Sequence, residues 1–151
     1  MSNQHHIRLN EQAFLLMQQD ALSTFPNECC GFFYGDDSGN IRDILLAKEV
    51  VNSQAGDQRR RFEIAPFDYM KAEQYALKNN LTLLGIYHSH PNHPSVPSIH
   101  DLQKALPYFS YIIISVNEGQ FNTLQSWRLN EQIGQFEEEQ VHYSTSNALL
   151  L

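Results

Sequence analysis

Apolar residues recur at spacings of three and four at Phe14, Met17, Ala21 and Phe25, behind Asn10 as a cap and ahead of Pro26, which predicts a first helix. The period then changes. Cys29 to Tyr34 is a short apolar run closed by Gly35, turn residues fill Asp36 to Asn40, and Ile41 to Val51 is apolar again, so this stretch predicts a β-hairpin. The polar segment Asn52 to Arg60 predicts a loop, followed by a strand-like piece at Arg61 to Ile64. Pro66 opens a second helical pattern through Phe67, Met70, Ala72, Tyr75, Ala76 and Leu77, ending at Asn79 and Asn80. Leu81 to His88 is apolar enough to lie centrally in a sheet. A loop rich in proline and histidine, Pro91 to Pro97, leads to a short helix that starts near Ser98 and stops before Pro107. Strands are predicted at Tyr108 to Val116, Thr123 to Leu129 and Gln135 to Tyr143, with Glu137 to Glu139 read as a solvated strand edge or loop. Residues 1–9 are expected to be flexible or to form a short strand. The sum is an α/β (α+β) chain, one domain over 1–151, with a mixed sheet of six or seven strands flanked by about three helices.

Composition narrows the function. A chain of 151 residues with 42% hydrophobic and 11% aromatic residues can bury a real core and is not built like a disordered chain. Its formal charge of −7 argues against broad contact with phosphate backbones or anionic lipid, so neither nucleic acid nor a membrane surface is an expected partner. The longest apolar runs fall well short of the roughly 20 residues a membrane helix needs. The N-terminus has no basic start, apolar stretch and small-residue cleavage site. Cys29 and Cys30, adjacent in an extended run, point to opposite faces and rarely bridge, which fits a reducing compartment, most simply the cytoplasm.

The chemistry concentrates in YHSHPNHPSVPSIHD, where His88, His90, His93 and His100 fall close together. His88 and His90 close a strand at positions i and i+2, so both side chains leave one face with Cα atoms roughly 6.5 Å apart. Two imidazoles can then converge on one ion, and a catalytic zinc site needs a third protein ligand while keeping a position for water. Asp101 is the nearest carboxylate on the C-terminal side. Ser98 and Asp101 also have Ser-x-x-Asp spacing, which serves helix capping with no metal at all; the two readings are compatible. His93 and His100 read as loop residues or outer supports.

The string His88-Ser89-His90-Pro91, six residues, then Ser98-x-x-Asp101 resembles the His-x-His-Pro…Ser-x-x-Asp signature of the JAMM metallopeptidases, also called MPN+ or Mov34/PAD-1 domains. The family's upstream glutamate falls on Glu28 in PNECCGFFYG, and the order of helix, hairpin, helix and His-x-His strand is the family's order. PNECCGFFYG and LLGIYHSHP look closest to the small bacterial Mec+ type, which acts on sulfur-carrier proteins with ubiquitin-like folds. This short chain shows no room for the insertions with which eukaryotic relatives grip ubiquitin.

The resemblance implies a JAMM/MPN fold with cytidine-deaminase-like layering and one Zn²⁺ held by His88, His90 and Asp101. It implies Glu28 as proton shuttle and Ser98 as hydroxyl donor to the oxyanion, in hydrolysis of a peptide or isopeptide bond. The expected substrate is the C-terminal Gly-Gly tail of a small ubiquitin-like or sulfur-carrier protein, and a strand-adding groove beside the metal would suit such a tail. The oligomeric state stays open between monomer and dimer. The competing reading is a catalytically silent MPN scaffold, against which stands the presence of all five side chains. Cys29 and Cys30 begin an apolar strand, a poor setting for a nucleophilic thiol. Arg59, Arg60 and Arg61, the one basic cluster, read as a solvated loop or as contacts for an acidic group.

Overall fold

A computed structural model describes residues 4–143. In chain order the elements are β1 (His6–Leu9), α1 (Glu11–Thr24), β2 (Cys30–Asp37), β3 (Ile41–Val50), α2 (Pro66–Lys78), β4 (Thr82–Pro91), α3 (Ile99–Lys104), β5 (Ser110–Asn117), β6 (Gln120–Asn130) and β7 (Gln135–Tyr143). The Asn10 side chain accepts from the Ala13 N–H and opens α1, as its position predicts, and Pro66 stands in the first turn of α2.

The strands are ordered β1-β3-β2-β4-β5-β6-β7, and the short β1 pairs in parallel with both β3 and β7, which closes the sheet into a barrel. Helix α1 buries Ala13, Phe14, Met17 and Ala21 in a core with Ile7, Phe33, Leu84 and Ile112. Helix α2 buries Ala72 and Ala76 in a second core with Phe32, Tyr34 and Ile86. Cys29 belongs to the first core and Cys30 to the second, both as free thiols, so the adjacent pair does face opposite ways. Among the described residues no helix is long and apolar enough to cross a membrane.

Two sequence expectations are corrected. Arg61 to Ile64 forms no strand: the Asn52 side chain takes the place of a pairing partner, donating to the Arg61 carbonyl and accepting from the Glu63 N–H, while Ser53 donates to the Glu63 carbonyl. Glu139 is not solvated. It is buried opposite Ser126 on β6, with its carboxylate 2.6 Å from the Arg128 guanidinium and accepting from the Ser126 hydroxyl at 2.7 Å. An ion pair between neighbouring strands is what lets that one acidic position turn inward.

Strand β4 runs antiparallel to β2 and parallel to β5, and every residue after Thr82 is buried. Gly85 makes this close packing possible, because a Cβ there would stand 1.9 Å from the Ser110 carbonyl oxygen of β5, a backbone atom that cannot rotate away. Gly85→Ala is expected to cost about 3 kcal/mol of stability, measured by urea unfolding; an unchanged midpoint would show that β4 and β5 are free to separate.

Candidate metal and catalytic site

The end of β4 carries His88 and His90 out on one face, and α3 brings a carboxylate up to them. Ser98 caps α3: its hydroxyl accepts from the Asp101 N–H at 3.1 Å, and the Asp101 Oδ2 accepts from the Ser98 N–H at 2.8 Å. This reciprocal cap fixes the carboxylate so that Oδ2 lies 3.2 Å from His90 Nε2 and Oδ1 lies 3.6 Å from His88 Nε2. Capping and clustering are therefore one arrangement.

The donor set fits a metal. Ligand atoms of His88, His90 and Asp101 lie within 4.8 Å of one another, and a tetrahedral ion with bonds of about 2.0–2.1 Å separates its ligand atoms by roughly 3.4 Å. The His90 Nδ1 lies 2.8 Å from the Pro94 carbonyl oxygen and can only donate there. That contact aims Nε2 at the Asp101 carboxylate oxygen 3.2 Å away, the ring nitrogen through which His90 would join a shared ion.

Glu28 is buried just before β2, with its Oε1 3.7 Å from His88 Nδ1, beyond hydrogen-bond reach. Its backbone is tied down by loop 52–60: the Glu28 N–H donates to the Gln58 carbonyl at 2.7 Å, and Asn52 donates to the Glu28 carbonyl. Ser89, between the two histidines, binds across to β2, its hydroxyl accepting from the Cys29 N–H at 2.8 Å. That bond sets the glutamate against the imidazoles. Phe62 stacks on His88 with ring centroids 4.4 Å apart. Ser89 and Phe62 escaped the sequence reading, and only the alternation of side chains along β4, which turns Ser89 away from its neighbours, hints at the first.

The proline-rich loop is pinned from β5 and β6. The Ser95 hydroxyl bonds Gln125 at 2.6 Å, the Trp127 indole donates to the Ser95 carbonyl, and the Asn92 N–H donates to Val116. An open groove beside the cluster is lined by Glu28, Arg60, His90, His93, Val96 and Ser98. Of the basic cluster, Arg60 thus reaches the groove, whereas Arg61 lies 3.2 Å from the His100 ring and Arg59 is exposed. His93 stands at the groove as an exposed side chain. The two thiols offer no nucleophile, since burial pushes Cys30 up to about 12 and Cys29 well above its ordinary range.

Burial acts to lower the His88 pKa, yet the Asp101 and Glu28 carboxylates outweigh it and hold it above the ordinary imidazole value. Burial likewise acts to raise Asp101, but the His88 and His90 rings and the Ser98 N–H hold it well below the usual carboxylate range. With no metal bound, the raised His88 contributes stability that is fully present below its unfolded value, near 6.5, and is lost as pH rises through the folded one. The depressed Asp101 contributes stability above its unfolded value, near 3.9, and loses it as pH falls. Chelator-treated protein is therefore expected to lose thermal stability as pH rises above about 6.5, a slope absent in His88→Ala; identical slopes in melts from pH 5 to 9 would discount the pair.

Comparison with known proteins places these residues in context. Residues 10–130 match the family described as prokaryotic homologs of the JAB domain. A desampylase from Pyrococcus furiosus is 30% identical over 122 residues, 80% of each chain. A desampylase from Haloferax volcanii is 32% identical over 91 residues, 60% of this chain and 63% of that one. The solution structure of a Desulfitobacterium hafniense protein superposes with a TM-score of 0.80 at 26% identity, covering 93% of this chain and 94% of the other. A Salinibacter ruber protein, also a solution structure, gives 0.65 at 30% identity over 88% of each chain.

Proposed function

The chain belongs to the prokaryotic JAB-domain family, and from that premise we propose that it is a zinc-dependent peptidase that cleaves the amide or isopeptide bond following the Gly-Gly tail of a small ubiquitin-like or sulfur-carrier protein. The observation that carries this reading is the capped Asp101 carboxylate facing both His88 and His90, with the Glu28 carboxylate buried beside them. The desampylase relatives support a protein modifier of ubiquitin-like size as the acyl half of the substrate.

His88, His90 and Asp101 would hold the ion, and Glu28, His90 and Ser98 present the groove that receives the scissile bond. Zn²⁺ bound there supplies a Lewis acid and lowers the pKa of a coordinated water to about 7. Glu28 takes a proton as water adds to the carbonyl carbon, and returns it to the nitrogen as the C–N bond breaks, which releases a free amine and the tail carboxylic acid. The Ser98 hydroxyl oxygen already accepts from the Asp101 N–H, so its own hydrogen is free to be given to the oxyanion. On its β5 side β4 is paired through Pro91, whereas its pairing with β2 stops at Cys30 opposite His88. The extended tail would lie along the groove, where the unpaired end of β4 is open to strand addition.

The test is elemental analysis of protein purified without a histidine tag, coupled to intact-mass detection of cleaved Gly-Gly fusions of ubiquitin-like carriers. Near one zinc per chain and release of the carrier carboxylate is the expected result. Fully loaded protein that cleaves no such fusion would overturn the proposal.

A further inference from the structure

A second opening reaches the same cluster from another side. It is a pocket of about 300 Å³ that touches His88 and Asp101 but shares none of the groove's residues. Its walls are Phe62, Ile64, Tyr69, Ile86 and Tyr111, brought together from loop 52–65, α2, β4 and β5. Phe62, Ile64, Ile86 and Tyr111 are buried. The polar atoms at hand are few: the Tyr111 hydroxyl, which accepts from the Leu106 N–H at 2.7 Å, the Tyr69 hydroxyl, and the Lys104 ammonium, which donates to the Phe62 carbonyl at 2.8 Å.

We infer that this pocket receives the side chain of the first residue on the amine side of the scissile bond and selects an apolar one. The inference rests on the reading of a Gly-Gly tail as the acyl half. Glycine has no side chain, so the two residues before the carbonyl leave a walled cavity beside two of the three ligand residues unfilled. The first side chain after the bond is the nearest one able to enter. A volume of about 300 Å³ is at the lower end of the range for small-ligand pockets, enough for one large side chain and too little for a folded segment. An aspartate there would lose its water among walls that are mostly apolar, and would face the Asp101 carboxylate. Glu63 and Lys104, exposed at the mouth with opposite charges, give no net sign to offset that loss.

The test uses synthetic peptides ending in Gly-Gly-X, with X as Leu, Met, Phe, Gly or Asp, and a second set that varies the residue before the two glycines. The metal-loaded protein is expected to cleave Gly-Gly-Leu at least about tenfold faster in kcat/KM than Gly-Gly-Asp. Ile64→Phe, which fills the pocket from its wall, should erase that ratio by lowering kcat/KM for Gly-Gly-Leu more than for Gly-Gly-Asp. Equal rates for Leu and Asp, a ratio that survives the filling, or a response only to the residue before the glycines would overturn the inference. If none of the peptides is cleaved, the carrier fusions decide the functional reading, and the pocket is decided by methyl NMR. Shifts confined to Ile64 and Ile86 on adding the leucine peptide, and none with the aspartate peptide, support it; no shifts with either defeat it.

Discussion

Glu28→Gln is expected to keep zinc at the native content and to lower kcat on a Gly-Gly fusion by about 10²–10⁴-fold, the range that a positioned general acid–base group contributes. The substitution preserves shape in a position only 4% exposed, and the backbone there is held by Gln58 and Asn52 regardless of the side chain. An amide takes no proton at neutral pH, so the shuttle is removed while the ligand residues stay in place. Glu28 stands 3.7 Å from His88 Nδ1 without a hydrogen bond, so the change breaks no contact that orients a ligand. Zinc by elemental analysis and kcat by intact-mass time courses read the two effects separately. Native turnover by Glu28→Gln would end the shuttle role; lost zinc would mean that Glu28 is itself a ligand.

His88→Ala and Asp101→Asn are both expected to lose the proposed metal and with it all turnover. Each removes a donor from a set of three, so the loss exceeds the roughly 10–100-fold in affinity that changes outside the coordination shell cost. Asp101→Asn separates the two duties of that residue. Its amide oxygen can still accept from the Ser98 N–H, so the capping box and α3 persist, whereas the anionic oxygens facing both imidazoles are gone. Unchanged circular dichroism with no zinc is the expected result. Zinc at one per chain in both variants would move the ion elsewhere, return Ser98 and Asp101 to capping alone, and turn the reading toward a scaffold.

The legible parts of this chain are those written in local spacing. Asn10 and Pro26 bracket α1, Pro66 starts α2, and the apolar run before His88 marks β4 as central, because each signal acts within a few residues. The His-x-His pair at the end of a strand and Ser-x-x-Asp at a helix start were visible for the same reason. Arg61 to Ile64 misled because its apolar residues face the second core from a loop, where Asn52 and Ser53 supply the bonds a strand partner would. Glu139 misled because its counter-charge, Arg128, lies on another strand.

Sequence alone determined most of the element types and, by local spacing, His88, His90, Ser98 and Asp101, while Glu28 came only from the likeness to a family. The tertiary structure decided how they meet. A four-residue β1 closes the barrel by pairing with strands more than thirty and more than a hundred residues away. Ser89 ties Glu28's strand to the imidazoles, Pro94 holds the His90 ring, and loop 52–65 supplies Phe62 against His88. These contacts join positions whose separation leaves no period or spacing to read, and they exist only once the strands have paired.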